Sequence, residues 1–378
     1  MFSLGSFIII AIASSIITIN ILIGISEIKS AKKITIAASI FIGWLGVIPL
    51  YWMKKYDILP DKVYFVLEYI FNFLLVFVFV LFLLLLLRDI VWYIVSNAFK
   101  LEDKIPWDWN PNNKTKLNKV NLIIIFICFS VCLYASWQAH KLPIIENKDV
   151  YNDKITGNLN LIQVSDLYLS RTSSEDQLEK LIIQINSLRP DVIVFTGDII
   201  NDKIEKVEPL IKKLQQLSAP YGLYAVMGDN EFHNNVYEAK KLFERNRIKF
   251  LFNGGITIKS SNIFISGIPD YITMTERINL HRTIYKSDKN SYRVLLSHSP
   301  IIIDALSKEV FDFVLAGHTL GGQFFPFHWF IKRMNKYLYG NYQVNGIDMF
   351  VSKGVGACGP KMRLFAPTDI ASINFRSK

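Results

Sequence analysis

The stretch VLAGHTLGGQF, residues 314–324, joins an apolar run, a histidine and a pair of glycines. The apolar run predicts a buried β-strand, and the glycines predict a tight turn after it. His318 therefore follows the end of a strand, which is where ligands collect in open α/β sheets. Leu320 stands two residues later, where a second polar ligand would be expected, and it has no atom that can bind a metal.

Short apolar runs that end in polar residues recur between residues 158 and 378. They alternate with segments whose apolar residues lie three and four positions apart, and such segments predict helices. This alternation, followed by further strands, indicates a layered α/β or α+β sandwich. Strands, several with their following turns, are expected at 159–165, 191–198, 222–230, 249–252, 255–259, 262–267, 293–300, 311–318, 346–354 and 369–377. Helices are expected at 174–188, 204–217, 234–246 and 300–308.

Candidate metal ligands stand at the ends of five of these predicted strands. They are Asp166, Asp198, Asp229, His298 and His318. Residues at such strand ends converge on one edge of a sheet. Carboxylates mixed with imidazoles suit Mn, Fe or Zn, and a divalent metal can bind phosphate and activate a water molecule. Each residue alone is more often a turn, a cap or a satisfied polar group, whereas the ordered set is far more specific.

These motifs resemble those of the calcineurin-like metallophosphoesterases, in the bacterial branch with a membrane-embedded N-terminus. The resemblance covers about residues 158–376 and includes the tail 351–373, with its Gly-rich turn and R-L-F-x-P sequence. It implies a hydrolase of phosphoesters, with a four-layer αββα sandwich and two metals at the strand ends. The family pattern D-x-H, GD, G-N-H-[ED], H and G-H-x-H-G-G-Q corresponds here to DLY (166–168), GD (197–198), GDNE (228–231), SHSP (297–300) and GHTLGGQ (317–323).

Three histidines of the family pattern are replaced here, by Tyr168, Asn230 and Leu320. The resemblance implies a first metal site of which only Asp166 and Asp198 remain. Tyr168 could replace a ligand only as a phenolate, which requires a strong Lewis acid such as ferric iron. The implied second site is intact and consists of Asp198, Asp229, His298 and His318. We therefore expect one tightly bound divalent metal (Mn, Fe or Zn), while a second metal is uncertain.

The third motif contains the expected catalytic group. In the family its histidine stabilises the transferring phosphoryl group or protonates the leaving oxygen. Asn230 can donate a hydrogen bond there but no proton, and general acid catalysis is typically worth about 10²–10⁴-fold. His233, three residues later, is a candidate substitute, and the alternative is a surface histidine at the start of a helix. Glu231 matches the acidic residue of the motif and is expected to orient the loop.

The apolar excess of this 51% hydrophobic chain lies in residues 1–140. Segments of roughly 20 apolar residues can span a bilayer as helices. Four such segments are expected, at about 2–25, 34–53, 64–87 and 120–137. The first lacks the charged start and cleavage site of a signal peptide and is interpreted as an uncleaved helix. Residues 141–157 are expected to link this region to a phosphoesterase domain at 158–378.

The distribution of Lys and Arg in the short loops predicts the orientation of a multi-pass cell-membrane protein. The bias places the phosphoesterase domain on the extracytoplasmic side. A net charge of +10, much of it in and beside the membrane half, suits anionic lipid headgroups. No nucleic-acid-binding motif occurs, so no nucleic-acid partner is expected. Three cysteines provide neither a disulfide framework nor a Cys-based zinc site.

Two functions fit these residues. The first is a membrane-anchored metal-dependent phosphoesterase that hydrolyses a phosphodiester or phosphomonoester, with a lipid-linked phosphate or headgroup as a candidate substrate. The alternative is a catalytically inactive phosphoesterase-like domain that serves as a binding or scaffolding module. The replaced histidines favour the second function, whereas the retained ligands and the family favour the first. A transporter is less favoured, because no intramembrane charged pair marks a pathway.

Overall fold

The computed structural model describes residues 53–54, 56–99, 119–233 and 235–378. The chain divides into two compact units, Met1–Ser136 and Trp137–Lys378. The helices predicted at 2–25 and 34–53 lie outside the described residues, apart from the last residue of the second.

Two long apolar helices occupy the described part of the first region. Helix α1 (Asp61–Tyr93) continues into a π-helical turn (Ile94–Ala98), and helix α2 comprises Lys119–Ala139. They contain the helical segments predicted at 64–87 and 120–137. Both are long and apolar enough to cross a bilayer, over Asp61–Ala98 (38 residues) and Val120–Ala139 (20 residues). In the described residues, two of the four predicted segments are therefore apolar helices of membrane-spanning length.

The second unit contains two mixed six-stranded sheets. The first sheet consists of β1 (Ile144–Asn152), β2 (Leu159–Val164), β3 (Val192–Thr196), β4 (Leu223–Val226), β5 (Ile248–Phe250) and β12 (Asp369–Ser377). Its strand order is β1-β12-β2-β3-β4-β5, and β2 to β5 run parallel. Strand β12 is antiparallel to β2 and parallel to β1.

The second sheet has the same number of strands and a similar parallel centre. It consists of β6 (Gly254–Ile258), β7 (Ile263–Gly267), β8 (Tyr292–Leu296), β9 (Phe313–Ala316), β10 (Gly340–Val344) and β11 (Ile347–Val351). The order is β10-β11-β9-β8-β7-β6. Strands β7, β8, β9 and β11 run parallel, and the edge strands β6 and β10 are antiparallel to their neighbours.

Seven helices are described in the second unit. They are α3 (Glu175–Ser187), α4 (Ile204–Lys213), α5 (Asp229–His233), α6 (Val236–Arg245), α7 (Tyr271–Met274), α8 (Leu280–Ile284) and α9 (Phe327–Met334). Short 3₁₀ turns lie at Leu214–Gln216, Thr275–Arg277, Pro300–Ala305 and Leu320–Gly322. Ser174 caps α3 by accepting a hydrogen bond from the Gln177 backbone, and Asn235 caps α6 in the same way.

Three apolar cores define the layers. Helices α3, α4 and α6 pack on the first sheet, where Phe195 and Phe243 are fully buried. The facing sides of both sheets share a second core, which includes Val194 and Phe313. A third core joins the second sheet to the turn at Pro300–Ala305. The predicted layered sandwich is thereby confirmed, in the order helix, sheet, sheet, helix.

Two edge strands were not expected from the sequence. Strand β1 lies within 141–157, which was expected to be a linker, and it pairs along its whole length with β12. Strand β10 extends the opposite sheet. Both are polar and mostly exposed or half-buried, because only one side of an edge strand is paired. They therefore lack the apolar run that reveals a central strand.

Candidate metal centre

Five strands end at one place, and each delivers a predicted ligand. Asp166, Asp198, His298 and His318 lie two residues beyond β2, β3, β8 and β9, and Asp229 lies three residues beyond β4. The backbone φ angles of Asp166, Asp198 and His318 are 54°, 52° and 73°. Residues with a Cβ rarely adopt this left-handed conformation, which clusters at functional sites. The loops thus turn sharply at the positions that carry the donor atoms.

Short distances connect four of the donor atoms through His298. His318 Nδ1 lies 3.0 Å from His298 Nε2 and 3.6 Å from Asp229 Oδ1. His298 Nε2 lies 3.2 Å from Asp229 Oδ1 and 3.5 Å from Asp198 Oδ2. Donors held about 2.0–2.2 Å from one metal ion are about 2.8–3.6 Å from one another in tetrahedral or octahedral geometry. The atoms of Asp229, His298 and His318 therefore fit the coordination of a single ion, and Asp198 belongs with Asp166 and His298 to a second, overlapping group that could hold one.

A backbone hydrogen bond orients the His298 ring. Its Nδ1 lies 2.8 Å from the carbonyl oxygen of Thr196. Because a carbonyl only accepts, Nδ1 carries the hydrogen and donates it, which leaves a lone pair on Nε2. Metal-binding histidines commonly hold their second nitrogen in this way. Nε2 thus faces Asp229 and His318, where a cation would compete with a proton for it.

The centre concentrates buried negative charge. Asp166, Asp198 and Glu231 are fully buried, and Asp229 is 4% exposed. Burial, together with the neighbouring carboxylates, raises the pKa of Asp198 well above its ordinary value, against the effect of His298. Burial alone would raise the pKa of Asp229, but hydrogen bonds to the two imidazoles lower it. Buried charges require a partner, and a divalent cation would supply one to all of these groups.

Glu231 holds the loops after β3 and β4 together. Its Oε1 accepts hydrogen bonds from the backbone N–H groups of Ile199 and Ile200, and its Oε2 accepts from those of Asp198 and Gly228. Burial raises the pKa of Glu231, and these backbone hydrogen bonds oppose that effect. The loop-orienting role expected from the sequence agrees with these four contacts.

Two glycines permit the close approach of these loops. A Cβ at Gly228 would lie 2.1 Å from Asp198 Oδ1, and a Cβ at Gly317 would lie 2.6 Å from Asp166 Oδ2. Asp166 Oδ2 also accepts hydrogen bonds from Ser165 Oγ at 2.5 Å and from the His318 backbone at 3.1 Å. Its other oxygen, Oδ1, is buried and finds no hydrogen-bond partner among the residues that the structure describes. A carboxylate oxygen left in this state is available to a cation.

Tyr168 and Leu320 stand where the family pattern has two histidines of its first metal position. The Tyr168 hydroxyl donates a 2.7 Å hydrogen bond to Asp198 Oδ2. Burial, and then the nearby Asp198, raises the pKa of Tyr168 well above its ordinary value. The phenol therefore stays neutral and contacts a ligand as a hydrogen-bond donor. Leu320 is 6% exposed, so an apolar side chain is buried where the pattern has its second histidine.

Cys358 is a residue that the sequence did not connect with the centre. The half-buried thiol has its pKa raised to about 12 by burial and then by Asp198, Asp229 and Asp166, while a hydrogen bond with Tyr168 opposes the shift. Its backbone N–H donates to Gln323 Oε1 at 2.9 Å, which fixes the loop. The only sequence signal was its position in the Gly-rich turn of the tail.

Asn230 and His233 differ in what the structure establishes for them. The Asn230 backbone donates to Asp198 Oδ1 at 3.0 Å, and the residue is 6% exposed. Its side-chain Nδ2 is buried and has no hydrogen-bond partner within the described ranges. His233 is the last residue of the short helix α5. A catalytic role for either residue stays a prediction.

The fold and the arrangement of the donor atoms are typical of metal-dependent phosphoesterases. Comparison with known protein families leads to the same class. The family model described as calcineurin-like phosphoesterase matches residues 159–322. This chain belongs to the calcineurin-like phosphoesterase family, whose members are divalent-metal hydrolases of phosphoester bonds. The family expected from the motifs is thereby confirmed.

Three relatives illustrate the similarity. An uncharacterized metallophosphoesterase of Campylobacter jejuni is 29% identical over 272 residues, which are 69% of this chain and 70% of that protein. The uncharacterized metallophosphoesterase YkoQ of Bacillus subtilis is 30% identical over 226 residues, or 56% of this chain and 82% of YkoQ. A Danio rerio protein named as a transmembrane protein with metallophosphoesterase domain is 24% identical over 269 residues. That match covers 67% of this chain and 62% of the zebrafish protein.

Proposed function

We propose that this protein is a membrane-anchored, metal-dependent phosphoesterase that hydrolyses a phosphodiester or phosphomonoester with one tightly bound divalent metal. One observation carries the proposal. The donor atoms of Asp229, His298 and His318 are 3.0–3.6 Å from one another, as the ligands of one ion are, and Asp198 Oδ2 lies 3.5 Å from His298 Nε2. The identity of the ion is open among Mn, Fe and Zn, because carboxylates and imidazoles suit each of them.

The residues around these donors support catalysis rather than metal storage alone. A divalent metal supplies a Lewis acid that polarises a phosphoryl oxygen and lowers the pKa of water. Asn230 offers a buried amide N–H without a partner in the described residues, which suits a donor to a phosphoryl oxygen. Tyr168 fixes the Asp198 carboxylate through its hydroxyl. A leaving-group acid is the missing component, and His233 is the proposed substitute.

We infer a single-metal enzyme because two of the four positions of the other site carry no side chain that readily binds a metal. Of its four positions, Asp166 and Asp198 offer carboxylates, whereas Tyr168 is a neutral phenol and Leu320 is apolar. Two-metal hydrolases stabilise the attacking and the leaving oxygens together. A single-metal enzyme without a strong acid should be slower than its two-metal relatives, or should favour substrates with good leaving groups.

The apolar helices support the proposed membrane anchor. Helices α1 and α2 are of spanning length, and only residues 140–143 separate the end of α2 from the start of β1. A domain with so short a connection acts close to its membrane, which favours a lipid-linked phosphate as the substrate. We further propose the multi-pass, extracytoplasmic arrangement that the loop charges predict.

The test uses the full-length protein in detergent, loaded in turn with Mn, Fe, Zn or Mg. Hydrolysis of bis(p-nitrophenyl) phosphate and p-nitrophenyl phosphate is measured for the wild type, Asp229→Ala and His318→Ala. His281→Ala removes an exposed histidine outside the centre and is the matched control. We expect one metal per chain, and metal-dependent turnover that both centre variants lose and His281→Ala keeps. The enzymatic function would be rejected if, with every metal, the wild-type protein hydrolysed the substrates no faster than His318→Ala.

The three replaced histidines favour a second candidate function, which is phosphoester binding without turnover. It predicts that wild-type protein binds inorganic phosphate when metal is present and releases it unchanged. Calorimetric titration with phosphate, beside the hydrolysis assay, separates the two functions. Binding without hydrolysis would identify the domain as a binding module.

A further inference from the structure

An exposed aromatic cluster lies directly beyond the loop of His318. The Phe325 ring stacks on His328 with centroids 5.2 Å apart, and it meets Trp329 and Phe365 edge-on at 5.4 Å and 5.7 Å. Trp329 is 63% exposed and Phe365 is 72% exposed. We call Phe325, His328, Trp329 and Phe365, together with the exposed end of α9, the aromatic surface. Its large rings contact one another while remaining open to solvent.

The fold gains little from this arrangement. Phe365 combines its exposure with a φ angle of 60°, a left-handed conformation that is unfavourable for a bulky residue. Burial of an aromatic ring would normally repay such strain, but the ring is mostly in water. A strained, exposed phenylalanine therefore points to a contact outside the described residues.

Positive charge borders the rings. Lys332 and Arg333 occupy the last turn of α9, are exposed, and form no ion pair with any residue that the structure describes. Met334, next in the chain, is 66% exposed. Lys336 pairs with Asp304 at 2.9 Å, and Lys353 and Arg363 are buried, so Lys332 and Arg333 carry the positive charge at this end of α9. The partner that complements this surface is apolar and negatively charged.

The aromatic surface is continuous with the candidate metal centre. Helix α9 packs against the turn that follows His318, because a Cβ at Gly322 would lie 2.5 Å from the His328 Cβ. Phe325 donates a backbone hydrogen bond to the carbonyl of Leu364, which places Phe365 beside it. Any partner of the aromatic surface therefore sits next to the loop that bears a predicted ligand.

We propose that the aromatic surface docks onto the interface of a bilayer containing anionic lipids. Aromatic side chains favour the headgroup level, and Lys and Arg are attracted to anionic lipids there. Only residues 140–143 join α2, a helix of membrane-spanning length, to β1 of the second unit. Docking would bring the centre to the headgroups, where a lipid-linked phosphate lies.

The test places a fluorescent label at the aromatic surface without removing a ring. Full-length Met334→Cys protein is labelled, reconstituted into phosphatidylcholine vesicles with and without phosphatidylglycerol, and exposed to headgroup-level nitroxide lipids or to aqueous iodide. Tyr285→Cys is the matched control, because Tyr285 is 85% exposed and lies outside the aromatic surface. Labelled wild-type protein corrects for the native cysteines. The measurement needs no hydrolysis, so its failure is distinct from failure of the proposed function.

We expect nitroxide lipids to quench the label at 334 severalfold more than the label at 285, with the reverse order for iodide. Each basic residue near an anionic surface contributes about fivefold to binding, so Lys332→Gln with Arg333→Gln should weaken docking roughly 30-fold in vesicles with phosphatidylglycerol. Trp329→Ser with Phe365→Ser should abolish the difference between the two labels. Equal quenching at both positions would overturn the proposal. The proposal would also be overturned if the label at 334 were protected from iodide in detergent and the protection grew with protein concentration. That result would mean that the aromatic surface binds a second copy of the chain.

Discussion

Replacing Tyr168 with Phe isolates a single hydrogen bond at the candidate metal centre. The Tyr168 hydroxyl donates to Asp198 Oδ2 at 2.7 Å, and the same oxygen lies 3.5 Å from His298 Nε2. The change removes one oxygen atom and leaves the ring in place. The substitution therefore distinguishes two roles for Tyr168: a neutral phenol that orients Asp198, and a phenolate that binds the metal itself.

The size of the effect follows from the surroundings of this bond. Both partners are buried, and hydrogen bonds to charged groups contribute about 1.5–3 kcal/mol. The metal-free protein should lose about this much stability. Without the donor, Asp198 is a less stable anion and holds a proton more strongly, so metal binding should weaken. Loss of a group that orients a ligand typically costs about 10–100-fold in metal affinity.

Two measurements check these values, together with a matched control. Metal affinity is obtained by competition with a chelator of known strength, and stability by chemical unfolding of the metal-free protein. Tyr224 on β4 is 4% exposed and donates a 2.8 Å hydrogen bond to the carbonyl of Tyr221. Tyr224→Phe deletes the same atom away from the centre. It should lower stability and leave metal affinity unchanged.

Two results would refute this reasoning for Tyr168. Unchanged metal affinity in Tyr168→Phe would show that the hydroxyl does not support Asp198 as a ligand. A fall in metal stoichiometry, with loss of a phenolate-to-iron absorption band, would show that Tyr168 binds the metal directly. In that case its raised pKa would be overcome by the metal, and the first site would be functional.

Three further predictions concern the same centre. Glu231→Gln removes a carboxylate that accepts four backbone hydrogen bonds, so chemical unfolding should show a loss of about 3 kcal/mol or more; an unchanged midpoint would contradict this role. Burial lowers the pKa of His298, but Asp198 and Asp229 raise it well above its ordinary value. Protons therefore compete with the metal for Nε2, and metal affinity should keep rising as the pH increases above about 6.5. A plateau of metal affinity that begins below that pH would argue against the raised pKa. Tyr168→His with Leu320→His restores both missing donors and should raise the metal content from one to two per chain by elemental analysis, whereas a constant content of one would mean that the loops no longer fit a second ion.

The strand ends of the sandwich were predictable because they combine two strong local signals. A central strand needs an unbroken apolar run, as in β3 and β9, whose residues are all buried. The polar residue that follows such a run must lie at the sheet edge. Runs of this kind, some interrupted by one or two polar residues, precede Asp166, Asp198, Asp229, His298 and His318 and predict that these residues lie together.

Contacts that depend on other parts of the chain could not be predicted in this way. The edge strand β1 is stabilised by backbone pairing with β12, more than 200 residues away, and its own side chains are mostly polar. The Tyr168 hydroxyl donates a hydrogen bond to Asp198, which lies 30 residues later in the chain. From the sequence, Tyr168 was recognisable only as a residue in the place of a ligand histidine. The proximity of Cys358 to the carboxylates likewise arises from tertiary structure.

The backbone conformation at Tyr168 and Leu320 is linked to that of the candidate metal ligands beside them. Tyr168 and Leu320 have φ angles of 50° and 52°, which cost a residue with a Cβ about 1–2 kcal/mol. Each stands two residues after Asp166 or His318, whose φ angles are also positive. The sharp turns that carry Tyr168 and Leu320 are the same turns that place Asp166 and His318. The conformation of these loops therefore follows from the position of the two candidate ligands, whichever side chain stands two residues later.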